Sequence, residues 1–149
     1  MLNGLYNNNY QIVQTKDAVT ILVEMVHDAR VIRINGKPLP STVRKWMGDS
    51  VGHYEGDTLV VETSNFHELN PFQGASSNRK VTERFTRIAR NKILYRFTVE
   101  DPTSFAQPFS GELALNAAPG NIYEYACHEG NYALPGVLAG ERETERKAK

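Results

Sequence analysis

The amino-acid sequence predicts an all-β domain: an antiparallel meander of about eight strands that forms a closed or nearly closed barrel. Runs of alternating apolar and polar residues recur along the chain, turns rich in Gly, Asn and Pro separate them, and hardly any segment has the period of a helix. The 149 residues suffice for one domain with a core. We therefore expect a single barrel over residues 1–140 and a charged tail over residues 141–149.

The predicted strands follow one another in order, with polar turns between them. After an Asn-rich lead-in, two β-branched runs flank the turn "TKD", and the second run continues across "HDA" with a bend before "RVIRI". The stretch "PLPSTVRKWMGDS" is the least strand-like. Two hairpins then turn at "EGD" and "ARNK", and a last pair of strands is formed by "FSGELALN" and "IYEYACHEG". The tail "AGERETERKAK" is predicted to be a solvated helix.

Charge and composition exclude several classes of partner. Seventeen Lys and Arg balance seventeen Asp and Glu, so no basic excess is present to bind nucleic acid. No apolar run is long enough to span a bilayer, and the N-terminus lacks the features of a signal peptide. We therefore expect a soluble chain with neither a membrane nor a nucleic-acid partner. The sequence predicts no particular cellular compartment. The single cysteine, Cys127, excludes an intramolecular disulfide.

Alternation also predicts which polar side chains face the inside of the barrel, because residues two apart on a strand share a face. In "KVTERFTRI" Glu83 falls on the apolar face, and in "ILYRFTV" Tyr95 does the same. His27 ends one face of "VTILVEMVHDA", while Glu124 and His128 share a face of "IYEYACHEG". A charge on an apolar face costs free energy unless it is paired or lines a wet cavity.

These positions predict a polar site inside the barrel. The candidate catalytic residues are the inward-facing acids and bases His27, Glu83, Glu124 and His128. The candidate ligand-binding residues are Arg30, Tyr95 and Asp28. Burial of Glu83 is expected to raise its pKa toward neutrality, which suits acid–base work beside an imidazole. An ordinary strand charge pair for Glu83 and a structural hydrogen bond for His27 are the alternatives.

Neither a metal nor a cofactor is expected. Cys127 and His128 are neighbours on a predicted strand and point to opposite faces, so both cannot bind one ion without a bulge. The chain has no HxH, CxxC or HxxxH spacing, no GxSxG nucleophile elbow and no phosphate-binding glycine loop. The remaining chemistry is acid–base work by a carboxylate and an imidazole in a pocket.

Several segments resemble a bacterial family of uncharacterised proteins that share the motifs HDAR, WMGDS, WEGDTLVV, VERF, TVDDP and ACHEGNY. The matching segments of this chain are "VEMVHDARVIRINGKPLP", "WMGDSVGHYEGDTLVVETSNF", "VTERFTRI", "LYRFTVEDPTSFAQPF" and "YEYACHEGNY". The resemblance covers residues 5–140, and Tyr54 stands where the family often has a tryptophan. It implies a lipocalin-like barrel with an enclosed ligand site, in a family whose members are often exported. It implies no activity.

Three functions fit these observations. The first is a small-molecule-binding barrel, in which inward polar groups orient an uncharged or weakly anionic organic ligand. The second is a cofactor-independent isomerase, lyase or hydrolase, in which a His–Glu pair moves a proton in the same cavity. The third is a structural β-domain or one that self-associates, for example as a homodimer. A void on which His27, Glu83 and Glu124 converge favours the first two, and a filled core favours the third.

Overall fold

The computed structural model describes residues 8–70, 72–124, 126 and 128–148, and it contains one eight-stranded sheet followed by an α-helix. The elements in chain order are β1 (Tyr10–Gln14), β2 (Ala18–Val23), β3 (Ala29–Ile34), β4 (Asp49–Glu55), β5 (Thr58–Ser64), β6 (Lys80–Ala89), β7 (Lys92–Glu100), β8 (Phe109–Asn116) and α1 (Ala133–Lys147). The predicted predominance of β-structure is confirmed. In this described part of the chain, none of the helices has the length and apolar character that a transmembrane span requires.

Each strand pairs with its neighbours in sequence, as a meander requires, but one pair runs in the unexpected direction. β3 and β4 are parallel, with Ile32 opposite Ser50, while all other neighbouring strands are antiparallel. A parallel pair needs a crossover of about a dozen residues, and residues 35–48 supply it. The predicted antiparallel pairing is therefore wrong for β3 and β4, and the sheet is mixed.

The sheet curls into an open half-barrel instead of closing. β1 and β8 are its two edges, and among the described residues no ladder joins them. The predicted last strand, "IYEYACHEG", is not formed over residues 122–124, which are irregular. That run was expected to extend the meander beyond β8, and among the described residues no strand pairs with the outer edge of β8. The sequence predicted a closed or nearly closed barrel, whereas the described strands form an open half-barrel.

The predicted turns lie where the turn-forming residues are. The "TKD" turn joins β1 to β2, and the "ARNK" turn joins β6 to β7. Between β4 and β5, Gly56 has φ 56°, a left-handed conformation that glycine adopts without a steric penalty. The helical tail is also confirmed, although α1 begins earlier than the tail, at Ala133, and none of its residues is buried.

The core occupies the concave face of the half-barrel. Its buried members come from the inward positions of five strands: Val19, Ile21, Ile32, Leu59, Val61, Phe85 and Tyr95. At one position the strands approach closely, because a Cβ atom on Gly52 would lie 2.8 Å from Ile32 Cγ2. Burial of these side chains is what stabilises the curled sheet, since each contributes about 1.5–3 kcal/mol of transfer free energy.

The crossover between β3 and β4 is anchored by the buried carboxylate of Asp49. Arg33 donates two hydrogen bonds to it, at 2.9 and 3.0 Å, Lys45 donates one at 3.0 Å, and the backbone N–H of Leu39 donates one at 2.9 Å. Burial disfavours the charged form, but these donors prevail and lower the pKa of Asp49 to about 2. The carboxylate therefore stays ionised at neutral pH and ties the crossover to the start of β4.

Candidate functional site

A buried polar cluster spans the inside of the half-barrel. Glu83, in the middle of β6, is fully buried, and Arg30 reaches it from β3, three strands away in the sheet. Arg30 Nη1 donates to Glu83 Oε2 at 2.5 Å and Nη2 donates to Oε1 at 3.1 Å. The Tyr95 hydroxyl, from β7, donates to Oε1 at 2.8 Å. Alternation placed Glu83 and Tyr95 on the inner face, and the structure adds Arg30, whose ion pair with Glu83 bridges opposite walls of the half-barrel.

The electrostatics of this cluster differ from the expectation for Glu83. Burial works against its charged form, but the charge and hydrogen bonds of Arg30 prevail, so the pKa of Glu83 lies below its ordinary value. Burial also opposes the charge of Arg30, yet Glu83 raises the pKa of the guanidinium. Burial and the charge of Glu83 raise the pKa of Tyr95. The near-neutral pKa expected for Glu83 is therefore wrong, because that expectation omitted the cation.

An open cleft of about 1730 Å³ lies on the same inner face, on the open side of the half-barrel. Its apolar floor consists of inward side chains from five strands: Val19, Ile21, Leu59, Phe85, Ile93 and Leu115. The segment 117–124 after β8 forms one wall. At the mouth lie three basic residues of the β6–β7 hairpin, called the turn cations here: Arg87, Arg90 and Lys92.

The buried cluster does not line this cleft. Arg30, Glu83 and Tyr95 are absent from its walls, and Phe85 lies between them, lining the cleft and packing on Tyr95 with ring centroids 4.8 Å apart. On β6, the described residues that line the cleft are Phe85 and Arg87, and Glu83 is not among them. The carboxylate is placed to hold the two walls of the half-barrel together.

His27 and Asp28 lie in a hairpin loop rather than on a strand. β2 ends at Val23 and β3 starts at Ala29, so the run that was predicted to continue across "HDA" turns back on itself. Val23 N–H donates to the Asp28 carbonyl at 2.9 Å and closes the loop, in which His27 has φ 59°. His27 is exposed and lines the cleft, whereas Asp28 is half-buried and does not. The face assigned to His27 by strand alternation was wrong, although the residue does reach the cleft.

Glu124 and His128 lie outside any strand. Both are exposed, Glu124 lines the cleft, and the carbonyl of His128 accepts a hydrogen bond from Asn131 N–H at 3.1 Å. Cys127, between them, lies outside the described residues. The structure therefore brings Arg30 and Tyr95 to the inner carboxylate and brings His27 and Glu124 to the cleft, while His128 joins neither group.

Two features were missed by reasoning from the sequence. Glu24 is buried and accepts a hydrogen bond from Asn9 Nδ2 at 2.8 Å, which fastens the start of β1. A carboxylate within the apolar run "VTILVEMV" was the signal for it. The turn cations were the second omission, and their signal was a concentration of positive charge in "RIARNK" at a predicted turn. Alternation along strand faces gives no information on turn residues, so it does not identify the turn cations.

Within the described part of the chain, no three His, Cys, Asp or Glu side chains come together as a metal site. Comparison with models of protein families, with curated proteins and with solved structures found no match. The family resemblance seen in the sequence therefore stays a prediction, and any function has to be argued from the cleft and the cluster themselves.

Proposed function

We propose that this protein binds a small organic molecule, largely apolar, in the cleft of the half-barrel. The observation that carries the proposal is the cleft on the open side of the half-barrel, whose apolar floor is formed by side chains of the core together with the partly buried Ile93 and Leu115. Ligand sites in proteins are concave and mostly apolar, with a few polar groups that orient the ligand. The floor of the cleft is apolar in this way, whereas its margin is polar and carries the turn cations, His27, Glu124 and several Asn and Gln side chains.

The acid–base alternative has less support. In the form that uses Glu83, it requires this carboxylate to exchange a proton with a substrate, but Glu83 does not line the cleft and already accepts hydrogen bonds from Arg30 and Tyr95. His27 and Glu124 do line the cleft, so the form that uses them stays an alternative. Its lowered pKa also leaves it ionised at neutral pH, so it is a poor proton donor there. We therefore propose that the inner face binds a ligand and that Glu83 does not act as a catalytic residue.

The test uses an uncharged fluorescent probe, N-phenyl-naphthylamine, and two neighbouring residues of β1. Ile12 lines the cleft and is 39% exposed, whereas Val13 is 49% exposed and does not line it. We expect saturable binding with a blue-shifted emission. Ile12→Asp should lower the affinity for the probe by about tenfold or more, because a carboxylate replaces a side chain whose burial contributes about 1.5–3 kcal/mol.

Val13→Asp is the matched control, since it places the same charge on the same edge strand but outside the cleft. Its probe affinity should equal that of the wild type. Circular dichroism establishes that both variants keep their β-structure. Probe binding that does not saturate, or an equal loss of affinity in the two variants, would contradict the proposed site.

A further inference from the structure

We infer that the ligand of the cleft carries a carboxylate at one end of its apolar body, and that the turn cations bind this carboxylate. The inference rests on the proposed function and adds to it the charge of the ligand and the direction in which the ligand lies. The apolar body would rest on the floor beside Phe85, and the carboxylate would lie at the mouth, beside the β6–β7 turn.

The position of Arg87 is the first argument. It follows Glu83 and Phe85 at alternate positions of β6, so the three share the inner face, and it lies opposite Ile93 of β7. The ladder is interrupted by an irregularity between Arg87 and Ala89, at the point where the hairpin turns. The row of inward side chains on β6 therefore ends in a cation at the mouth of the cleft, directly after an apolar floor residue.

The guanidinium of Arg87 is held by the turn itself. Its Nη2 donates to the Arg90 carbonyl at 2.9 Å, and its Nε donates to the Ala89 carbonyl at 3.4 Å. These contacts fix the side chain against the hairpin without neutralising its charge. A guanidinium oriented in advance loses less conformational freedom when it binds a carboxylate, and its planar group of donors fits that anion.

The absence of carboxylate partners is the second argument. Elsewhere on the sheet, basic side chains have acidic ones beside them, as Arg84 has Glu55 and Lys80 has Glu62, each at 2.5 Å. Among the residues that the structure describes, none of the turn cations forms an ion pair. The lining carboxylates are those of Asp57 and Glu124, so the three turn cations leave the described cleft with an excess of positive charge.

The experiment compares dansylamino-undecanoic acid with its methyl ester, which have the same apolar body and differ in the charge of one end. In fluorescence titrations at low ionic strength, the acid should bind about tenfold more tightly than the ester, because a charge-assisted hydrogen bond replaces a neutral contact. The preference should shrink as salt is raised, since the turn cations are exposed.

Two variants locate the effect. The double substitution Arg87→Gln with Arg90→Gln should bring the ratio of the acid's affinity to the ester's affinity close to one. The control is Arg96→Gln, which removes an exposed arginine of β7 that pairs with Glu112 and does not line the cleft. That control should bind the acid as the wild type does.

The possible outcomes separate the two proposals. Equal affinity for acid and ester, or a preference that survives the double substitution, overturns the assignment of the turn cations and leaves the cleft as a binding site for apolar molecules. Failure of both compounds to bind, together with failure of the uncharged naphthylamine probe, overturns the proposed function and this inference with it.

Discussion

Replacing Glu83 by glutamine should lower the stability of the protein by about 3 kcal/mol. The substitution keeps the shape of the side chain and removes its charge, so Arg30, only 8% exposed, is left without its counter-charge. Breaking a buried ion pair from one side costs about 3–5 kcal/mol, and the remaining amide oxygen places this change at the lower end. For a domain of this size that is a fall of roughly 6–12 °C in melting temperature.

Urea denaturation followed by circular dichroism at neutral pH measures the free energy of unfolding. The control is Glu112→Gln, which removes an exposed carboxylate that pairs with Arg96 on the outer face, and its cost should stay below about 1 kcal/mol. The double substitution Arg30→Met with Glu83→Leu should regain most of the lost stability, because apolar side chains of similar volume often replace a buried pair at little cost.

The pH dependence gives a second measure of the same pair. The pKa of Glu83 is lowered on folding, so its contribution is present above the unfolded value, about 4.3, and is lost as pH falls through the folded value. The difference in the free energy of unfolding between the wild type and Glu83→Gln should therefore become smaller at acidic pH. A variant as stable as the wild type at neutral pH, or a gap that persists unchanged at low pH, would refute the ion pair.

Two further predictions concern the packing and the crossover. Gly52→Ala should cost about 1–3 kcal/mol in the same urea assay, because its Cβ would lie 2.8 Å from Ile32 Cγ2 and neither strand can move freely; a neutral substitution would contradict this packing. Asp49→Asn should destabilise by about 2 kcal/mol and speed proteolysis within residues 35–48, because it weakens the bonds from Arg33 and Lys45. The pKa of Asp49 is about 2 in the folded state, so its contribution to the free energy of unfolding should be present above the unfolded pKa of about 3.9 and be lost as pH falls toward 2. Proteolysis of Asp49→Asn at the wild-type rate would contradict the role of Asp49 in holding the crossover.

Much of the sheet was predictable because its causes are local. Alternation decides which side chains of a strand face inward, so Glu83 and Tyr95 were placed on the inner face from the letters beside them. Turn positions were predictable for the same reason, since a residue such as Gly56 carries its own conformational preference. These parts of the fold need no knowledge of distant residues.

The direction of β4 and the closure of the barrel depend on distant contacts. A run of alternating residues reads the same whether its partner is parallel or antiparallel, and the path of residues 35–48 decided between the two. Closure requires the first and last strands to meet, and these are about a hundred positions apart in the chain. The sequences of β1 and β8 contain no signal that shows whether the two strands pair with each other.

The same limit explains why the residues predicted to form one site lie in two places, the buried cluster and the cleft. Alternation placed Glu83 and the floor residue Phe85 on one face, but it carries no information on depth, and Phe85 separates the carboxylate from the cleft. Nor does it name the partner of a buried charge: Arg30 is 53 positions away, and its presence reverses the direction in which burial alone would move the pKa of Glu83. The charges that face the cleft are instead the turn cations, beyond the last inward apolar residue of β6. On a curled sheet, the turn residues that follow the last inward-facing residue of each strand are therefore candidates for ligand binding.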